Sequence, residues 1–231
     1  MFKSTTTKSF IRDLMEEGSF IRIDYVGRIV ESREIFDLTK EDVAKKENIF
    51  NPEVNYGPVP IIIGAEVAVK GLENELKKMN VGDKKKILVK PEEAFGERKT
   101  EFIKLIPISE FKKQNIDPYP GMPVSISRLR GRVISVSGGR IRVDFNHPLA
   151  GKSLEYDVEI KEEITDQKEQ IKAILEFFLK KKDNEIIIEN ETAKIKVKEE
   201  ISGTTKKTIA NMIMKWVKNI KKIQFIDEFT Q

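Results

Sequence analysis

Side chains able to carry covalent or metal chemistry are few in this sequence. There is a single histidine, His147, and no cysteine among 231 residues. A Ser-His-Asp triad would have to be built around His147, and a multi-histidine metal site is excluded. Disulfides, thiol nucleophiles and cysteine metal sites are excluded as well. Without a partner at a recognisable spacing, His147 reads as a loop histidine rather than a catalyst or ligand. Gly64, Gly71, Gly82 and Gly96 read as backbone requirements, with no phosphate loop implied. By spacing alone, Phe36, Val69 and Tyr156 are core positions and Asp37 is a turn residue. No metal and no cofactor is expected.

Composition narrows the classes further. The chain is 39% hydrophobic, 35% charged and +4 overall. It is long enough for two or three modest domains with real cores. Abundant Lys and Glu without Cys fit a protein built for high temperature. Nucleic-acid binders show a concentrated basic face, and none is read here, so no nucleic-acid partner is expected. Lys180-Lys181-Lys182 reads as a solvated helix end, where cations favour the dipole, and Lys206-Lys207 as solvated surface. No apolar run has the length of a signal peptide or a membrane span. A cytoplasmic protein with no membrane partner is the expectation.

The elements that must position these residues follow from periodicity. Residues 20–30 alternate apolar and polar as a half-buried strand. Residues 39–48 read as a helix with Thr39 as its N-cap and Glu41 and Asp42 in its first turn. Pro60 to Gly64 is an apolar strand. Lys70 to Met79 is a short helix with Leu72, Leu76 and Met79 on one face. Asn80 to Asp83 is a turn, and Lys84 to Val89 another strand. From about Arg98 to Val143 the chain reads as short strands separated by Pro and Gly, with Ile141, Val143 and Phe145 alternating with Arg140, Arg142 and Asp144. Residues 154–160 form a further strand.

Beyond Lys161 an α-β-β-α-β unit is expected. It has helical spacing at Ile171, Ile174, Leu175 and Phe178, strands at Glu185 to Glu189 and Ala193 to Lys198, a second helix after Gly203, and a strand around Ile223 and Phe225. Ile209, Met212, Ile213, Trp216 and Ile220 make one face of that second helix, either core or dimer seam. A unit this small needs a partner surface, and its own copy is the expected one.

Four stretches in order carry a family resemblance. They are Ile23-Asp-Tyr25-Val-Gly27-Arg with Ile35-Phe36-Asp37; Gly64-Ala-Glu-Val-Ala68-Val69-Lys-Gly71-Leu72-Glu73 followed by Val81-Gly82-Asp83-Lys84; Pro91-Glu-Glu-Ala94-Phe95-Gly96-Glu97; and Leu154-Glu-Tyr156-Asp-Val-Glu159. Together they resemble the FKBP family of peptidyl-prolyl isomerases. The resemblance implies an α+β fold: a bent antiparallel sheet around a short helix, built from residues 1–97 and 146–160. The insertion at 98–145, ending before Asn146-His147-Pro148-Leu149-Ala150-Gly151, resembles the mainly-β insert-in-flap chaperone domain of SlyD-type members. Residues 161–231 would be an additional domain, expected to dimerise.

Rotation about an X-Pro bond meets a barrier of about 18–20 kcal/mol and needs neither acid nor nucleophile. A dry pocket withdraws the solvation that supports the planar, polar amide and so favours the twisted form. The resemblance assigns that pocket to Tyr25, Phe36, Asp37, Val69, Leu72, Phe95 and Tyr156, bordered by Val59, Ala68 and Leu149. Phe36, Val69 and Tyr156 would wall the prolyl ring, Leu72 would form the floor, and Asp37 would polarise the site and orient Tyr25. Two positions depart from the family pattern. Leu72 stands where drug-binding members carry Trp, so only weak macrolide binding is implied. Phe95 stands where a Tyr usually donates to the substrate carbonyl; the lost bond is worth roughly 0.5–1.5 kcal/mol. Phe102, Ile103, Leu105, Ile106, Met122 and Leu129 of the insert are expected to serve both its own small core and a surface for unfolded or nascent chains with X-Pro bonds. The competing expectation is a non-catalytic holdase, or a ribosome-associated peptide-binding module.

Overall fold

The structure is a computed structural model that describes residues 15–179, 184–197 and 200–227. The Lys180-Lys181-Lys182 run, Lys198 and residues 1–14 lie outside the described residues. The first unit contains β1 (Phe20–Ile29), β2 (Ile35–Leu38), α1 (Glu41–Lys46), β3 (Val59–Ile62), α2 (Lys70–Leu76) and β4 (Lys84–Val89). The insert follows, with β5 (Ile103–Pro107), α3 (Ile108–Lys112), β6 (Pro123–Ile126), β7 (Leu129–Ser137) and β8 (Arg140–Asp144). The chain then returns to the first unit as β9 (Leu154–Glu163). Last come α4 (Gln167–Phe178), β10 (Glu185–Glu189), β11 (Thr192–Val197), α5 (Gly203–Trp216) and β12 (Lys222–Asp227).

The alternation read at residues 20–30 puts β1 at the centre of an antiparallel sheet. One edge of β1 pairs with β9, which pairs in turn with β4. The other edge is shared: β3 pairs with Phe20–Ile23, and β2 with Val26–Arg28. Against one face lies α2, whose Leu72 and Leu76 are buried with Met79 among Ile21, Ile23, Ile87, Val89, Tyr156 and Val158. This approach depends on Gly71. A Cβ there would stand 2.6 Å from Val89 Cγ1, far inside van der Waals contact.

The insert is a separate sheet in the order β5-β8-β7-β6. Its core is Phe111, Val133, Ile141 and Val143. The expected mainly-β insert thus also contains α3, which presents Phe111 to that core.

The third unit has the expected element order, with β10 antiparallel to β11 and β11 parallel to β12. Local signals set its helices. Asp166 caps α4 by accepting from the N–H groups of Lys168 and Glu169 (2.9 and 3.0 Å). Ser202 caps α5 by accepting from the Thr205 N–H (3.2 Å).

One expectation changes and another is narrowed. Thr39 does not cap α1, whose N-cap is Lys40. Its buried hydroxyl instead accepts from the Tyr25 N–H at 2.9 Å, and Thr39 N–H donates to Tyr25 O at 3.0 Å. Bonding to the central strand wins over the helix end because it satisfies buried backbone groups. The face of α5 offered as core or seam is core: Ile209, Ile213, Val217 and Ile220 are buried, with Met212 and Trp216 packed against them. The third unit also packs on the first unit of its own chain. Phe20 of β1 and Ile62 of β3 belong to the third unit's apolar cluster, and Arg22 of β1 makes a two-pronged bond to Glu176 of α4 at 3.0 Å.

Candidate functional site

The elements around α2 bring together the residues singled out in the sequence. Leu72 and Tyr156 are buried, and Tyr25, Phe36, Val59, Ala68, Val69, Phe95 and Leu149 pack partly buried against the same cluster. Phe36 meets Tyr156 edge-on, with ring centres 5.6 Å apart and planes at 89°. Tyr25 lies 6.0 Å from Tyr156 at a 58° tilt. These are geometries that aromatic quadrupoles favour. Gly27 makes the arrangement possible, since a Cβ there would lie 2.7 Å from Phe36 Cζ.

One polar contact stands at the edge of this apolar group. The Tyr25 hydroxyl donates to Asp37 Oδ2 at 2.6 Å. Burial pushes the Tyr25 phenol well above its ordinary range, reinforced by this bond and by the charge of Asp37. Burial, then the Asp37 charge, pushes Tyr156 up to about 12. Both hydroxyls are therefore neutral at physiological pH and can donate, while neither can act as a base. Aromatic walls with one oriented carboxylate suit binding and desolvation of a neutral amide. They do not suit proton transfer.

On the other side, Ala68, Val69, Ala94 and Phe95 line a cleft of about 670 Å³ that continues to Glu66 and Val67. The Phe95 ring stacks on His147 at 4.2 Å with planes 2° apart. His147 Nδ1 accepts the Leu149 N–H at 3.2 Å. The histidine is thus a rim residue, placed by Phe95 and placing Leu149. Val59 also faces a groove of about 810 Å³ toward Phe177 and Phe178 of α4.

Two positioning residues escaped the sequence reading. Thr39 ties Tyr25 to the chain just after Asp37. Glu73, buried on α2, accepts the Gly64 N–H at 2.7 Å and so anchors the loop that carries Ala68 and Val69. The only signal for Glu73 was its place in the motif, since helical spacing alone makes it a surface acid.

The insert candidates divide. Ile106 and Met122 pack against the insert core, and Ile103 is partly exposed. Phe102, Leu105 and Leu129 are exposed, at 44, 59 and 60%. None of the six joins the aromatic group around Tyr156. Where the insert leaves the first unit, Asn146 binds both backbone groups of Lys99: its Oδ1 accepts the N–H and its Nδ2 donates to the carbonyl, each at 2.9 Å. Arg98 Nε and Nη2 donate to Asp144 Oδ2 beside it, at 2.9 and 2.6 Å.

Among the described residues, no cluster of three or more His, Cys, Asp or Glu side chains could hold a metal ion. No described helix is long and apolar enough to cross a membrane.

The chain is similar in sequence to known proteins. Residues 104–149 match the family described as FKBP26, IF domain. The chain is 30% identical over 150 residues to the short-type peptidyl-prolyl cis-trans isomerase of Methanocaldococcus jannaschii, covering 65% of this chain and 94% of that protein. It is 31% identical over 132 residues to the FKBP-type 16 kDa peptidyl-prolyl cis-trans isomerase of Escherichia coli, covering 55% of this chain and 86% of that protein. It is also 29% identical over 114 residues to the FKBP-type isomerase SlyD of Helicobacter pylori, covering 47% of this chain and 60% of that protein.

Proposed function

The chain belongs to the FKBP-type peptidyl-prolyl cis-trans isomerase family, and we propose that it accelerates X-Pro isomerisation in unfolded or partly folded chains that its insert captures. The prolyl ring enters between Phe36, Val69 and Tyr156 and rests on Leu72, with Val59, Ala68 and Leu149 at the border. The amide loses the water that supports its planar form, so the twisted state is bound better than either ground state. Asp37 supplies the field and fixes Tyr25 by accepting a hydrogen bond from its hydroxyl. Phe95 contributes contact but no donor, which limits the rate by about tenfold or less. Leu72 offers less ring surface than the family's Trp, so macrolides bind weakly.

The observation that carries this reading is the Tyr25–Asp37 bond set beside the perpendicular Phe36–Tyr156 pair. A polar handle at the edge of an aromatic cluster suits amide rotation, and a plain core needs none. For the chaperone part, the support is the exposed Phe102, Leu105 and Leu129 on a domain with its own separate core. Captured chains present their prolines at raised effective concentration.

The test is a protease-free isomerisation assay on a short X-Pro peptide. The chain is expected to catalyse it, and Phe36→Ala to lower kcat/KM by about tenfold or more, or ~1.4 kcal/mol of transition-state stabilisation. A wild-type rate equal to that of buffer would leave a non-catalytic holdase as the better account.

A further inference from the structure

Residues 98–145 hold ten Lys and Arg against four Asp and Glu, so the insert carries more positive charge than the whole chain, whose sum is +4. Strand register concentrates this charge. Directly opposed residues in an antiparallel pair share a face, and alternate residues along a strand do too. Arg142 stands opposite Leu105 and Ser135, and Arg140 opposite Pro107 and Ser137. Arg132 opposes Asp144, and Arg130 opposes Ser125. Arg130, Arg132, Arg140 and Arg142 therefore share one face with Leu105. The other face carries Val133, Ile141 and Val143 of the insert core.

All four arginines are exposed. Arg132 donates to Gly121 O at 3.2 Å. The side chains of Arg130, Arg140 and Arg142 make no ion pair or hydrogen bond with another described residue. In the first unit the pattern is the reverse: Arg22 pairs with Glu162 and Glu176, Arg28 with Asp157, and Arg33 with Glu155. The single acid on the arginine face, Asp144, is held by Arg98 and Asn146.

We propose that this arginine face docks acidic, extended stretches of non-native polypeptide, giving the insert a preference for such segments over neutral ones. The proposal rests on the insert being a capture domain. Charge complementarity names the sign of the occupant. Alternate arginines along a strand are about 6.6–6.8 Å apart, the spacing of same-side residues in an extended peptide. Leu105 beside Arg142 offers apolar contact, and β5 is an outer strand whose second edge pairs with no other strand of the sheet. A single-stranded nucleic acid fits less well, because its bases need aromatic platforms and none of the residues named on this face is aromatic.

The experiment measures binding of the full chain to labelled unstructured peptides of equal length and apolar content, with acidic, neutral or basic charged positions. A single-stranded RNA of matched charge forms a further arm. At low salt the acidic peptide is expected to bind about tenfold or more tightly than the neutral one, an advantage that high salt removes. Arg140→Glu with Arg142→Glu abolishes the advantage and leaves both neutral-peptide binding and short-peptide isomerisation unchanged, which also reports that the variant is folded. Equal binding of acidic and neutral peptides overturns the preference and leaves capture standing. No binding of any peptide overturns capture and the preference together. Tighter binding of the RNA than of the acidic peptide, lost in the same variant, assigns the face to nucleic acid and overturns the proposal.

Discussion

Tyr156 and Tyr25 lie in the apolar group and feel the same carboxylate, which gives the site a measurable signature. The folded chain holds the Tyr156 proton up to about pH 12, whereas an unfolded tyrosine releases it near pH 10. Above about pH 10 the unfolded state has lost a proton that the folded state keeps, so stability falls as pH rises. The loss is complete near pH 12 and amounts to about 3 kcal/mol from Tyr156. Below about pH 10 this contribution is constant. Urea unfolding across this range, compared between wild type and Tyr156→Phe, should show the steeper decline in wild type; parallel curves would mean that Tyr156 is not desolvated beside Asp37. The types and order of the pocket residues were legible through the motifs, and their geometry was not. That Phe36 stands perpendicular to Tyr156 depends on Gly27 in the neighbouring strand, a clearance invisible until β1 and β2 are paired. His147 likewise looked isolated because its partner, Phe95, lies across the insertion.

The joint between the insert and the first unit turns on Asn146. Its amide imitates a strand pairing with Lys99 and closes the insertion where the chain leaves and returns, supported by a bond from Gly151 N–H to Gly96 O at 2.8 Å. Asn146→Ala removes both bonds to Lys99 and its donation to Asp144. Each exposed bond contributes about 0.5–1.5 kcal/mol. The expected result is faster amide exchange at residues 98–102 and 144–146, weaker catalysis of protein refolding, and an unchanged rate on a short peptide. Equal losses on both substrates would mean that Asn146 shapes the pocket rather than the joint. Strands and long helices were read correctly because their periods of two and 3.6 persist. α3, with five residues, is too short to display a period. Thr39 was misread because a threonine before two acids suits a helix start, while its real partner, Tyr25, is fourteen residues away. The arginines at 140 and 142 marked a strand; only register with β5 and β7 gathers them into a face.

At the level of the whole chain, the third unit shields one side of the isomerase sheet. Phe20 and Ile62 face its core, and the Arg22–Glu176 pair lies mostly out of solvent, with side-chain exposures of 18 and 14%. Its pattern revealed an α-β-β-α-β element order and a need for a partner surface. Because β1 is buried on both faces at Phe20 and Ile21, its alternation could not show which residues meet the other unit. Removing residues 165–231 uncovers Phe20 and Ile62, an apolar loss of about 3–6 kcal/mol. The truncated chain should bind a hydrophobic dye and unfold at clearly lower urea than the full chain. Unchanged stability without dye binding would show that the sheet does not depend on this cover.

One chain is proposed to join a prolyl pocket to a capture domain. The most direct test is catalysis of proline-limited protein refolding beside catalysis of a short peptide, with residues 98–145 replaced by a short loop. The ends of that segment already meet through Lys99 and Asn146. The replacement is expected to leave the peptide rate close to wild type and to reduce the refolding rate by about tenfold or more. Equal rates on both substrates with and without the insert would contradict the proposal.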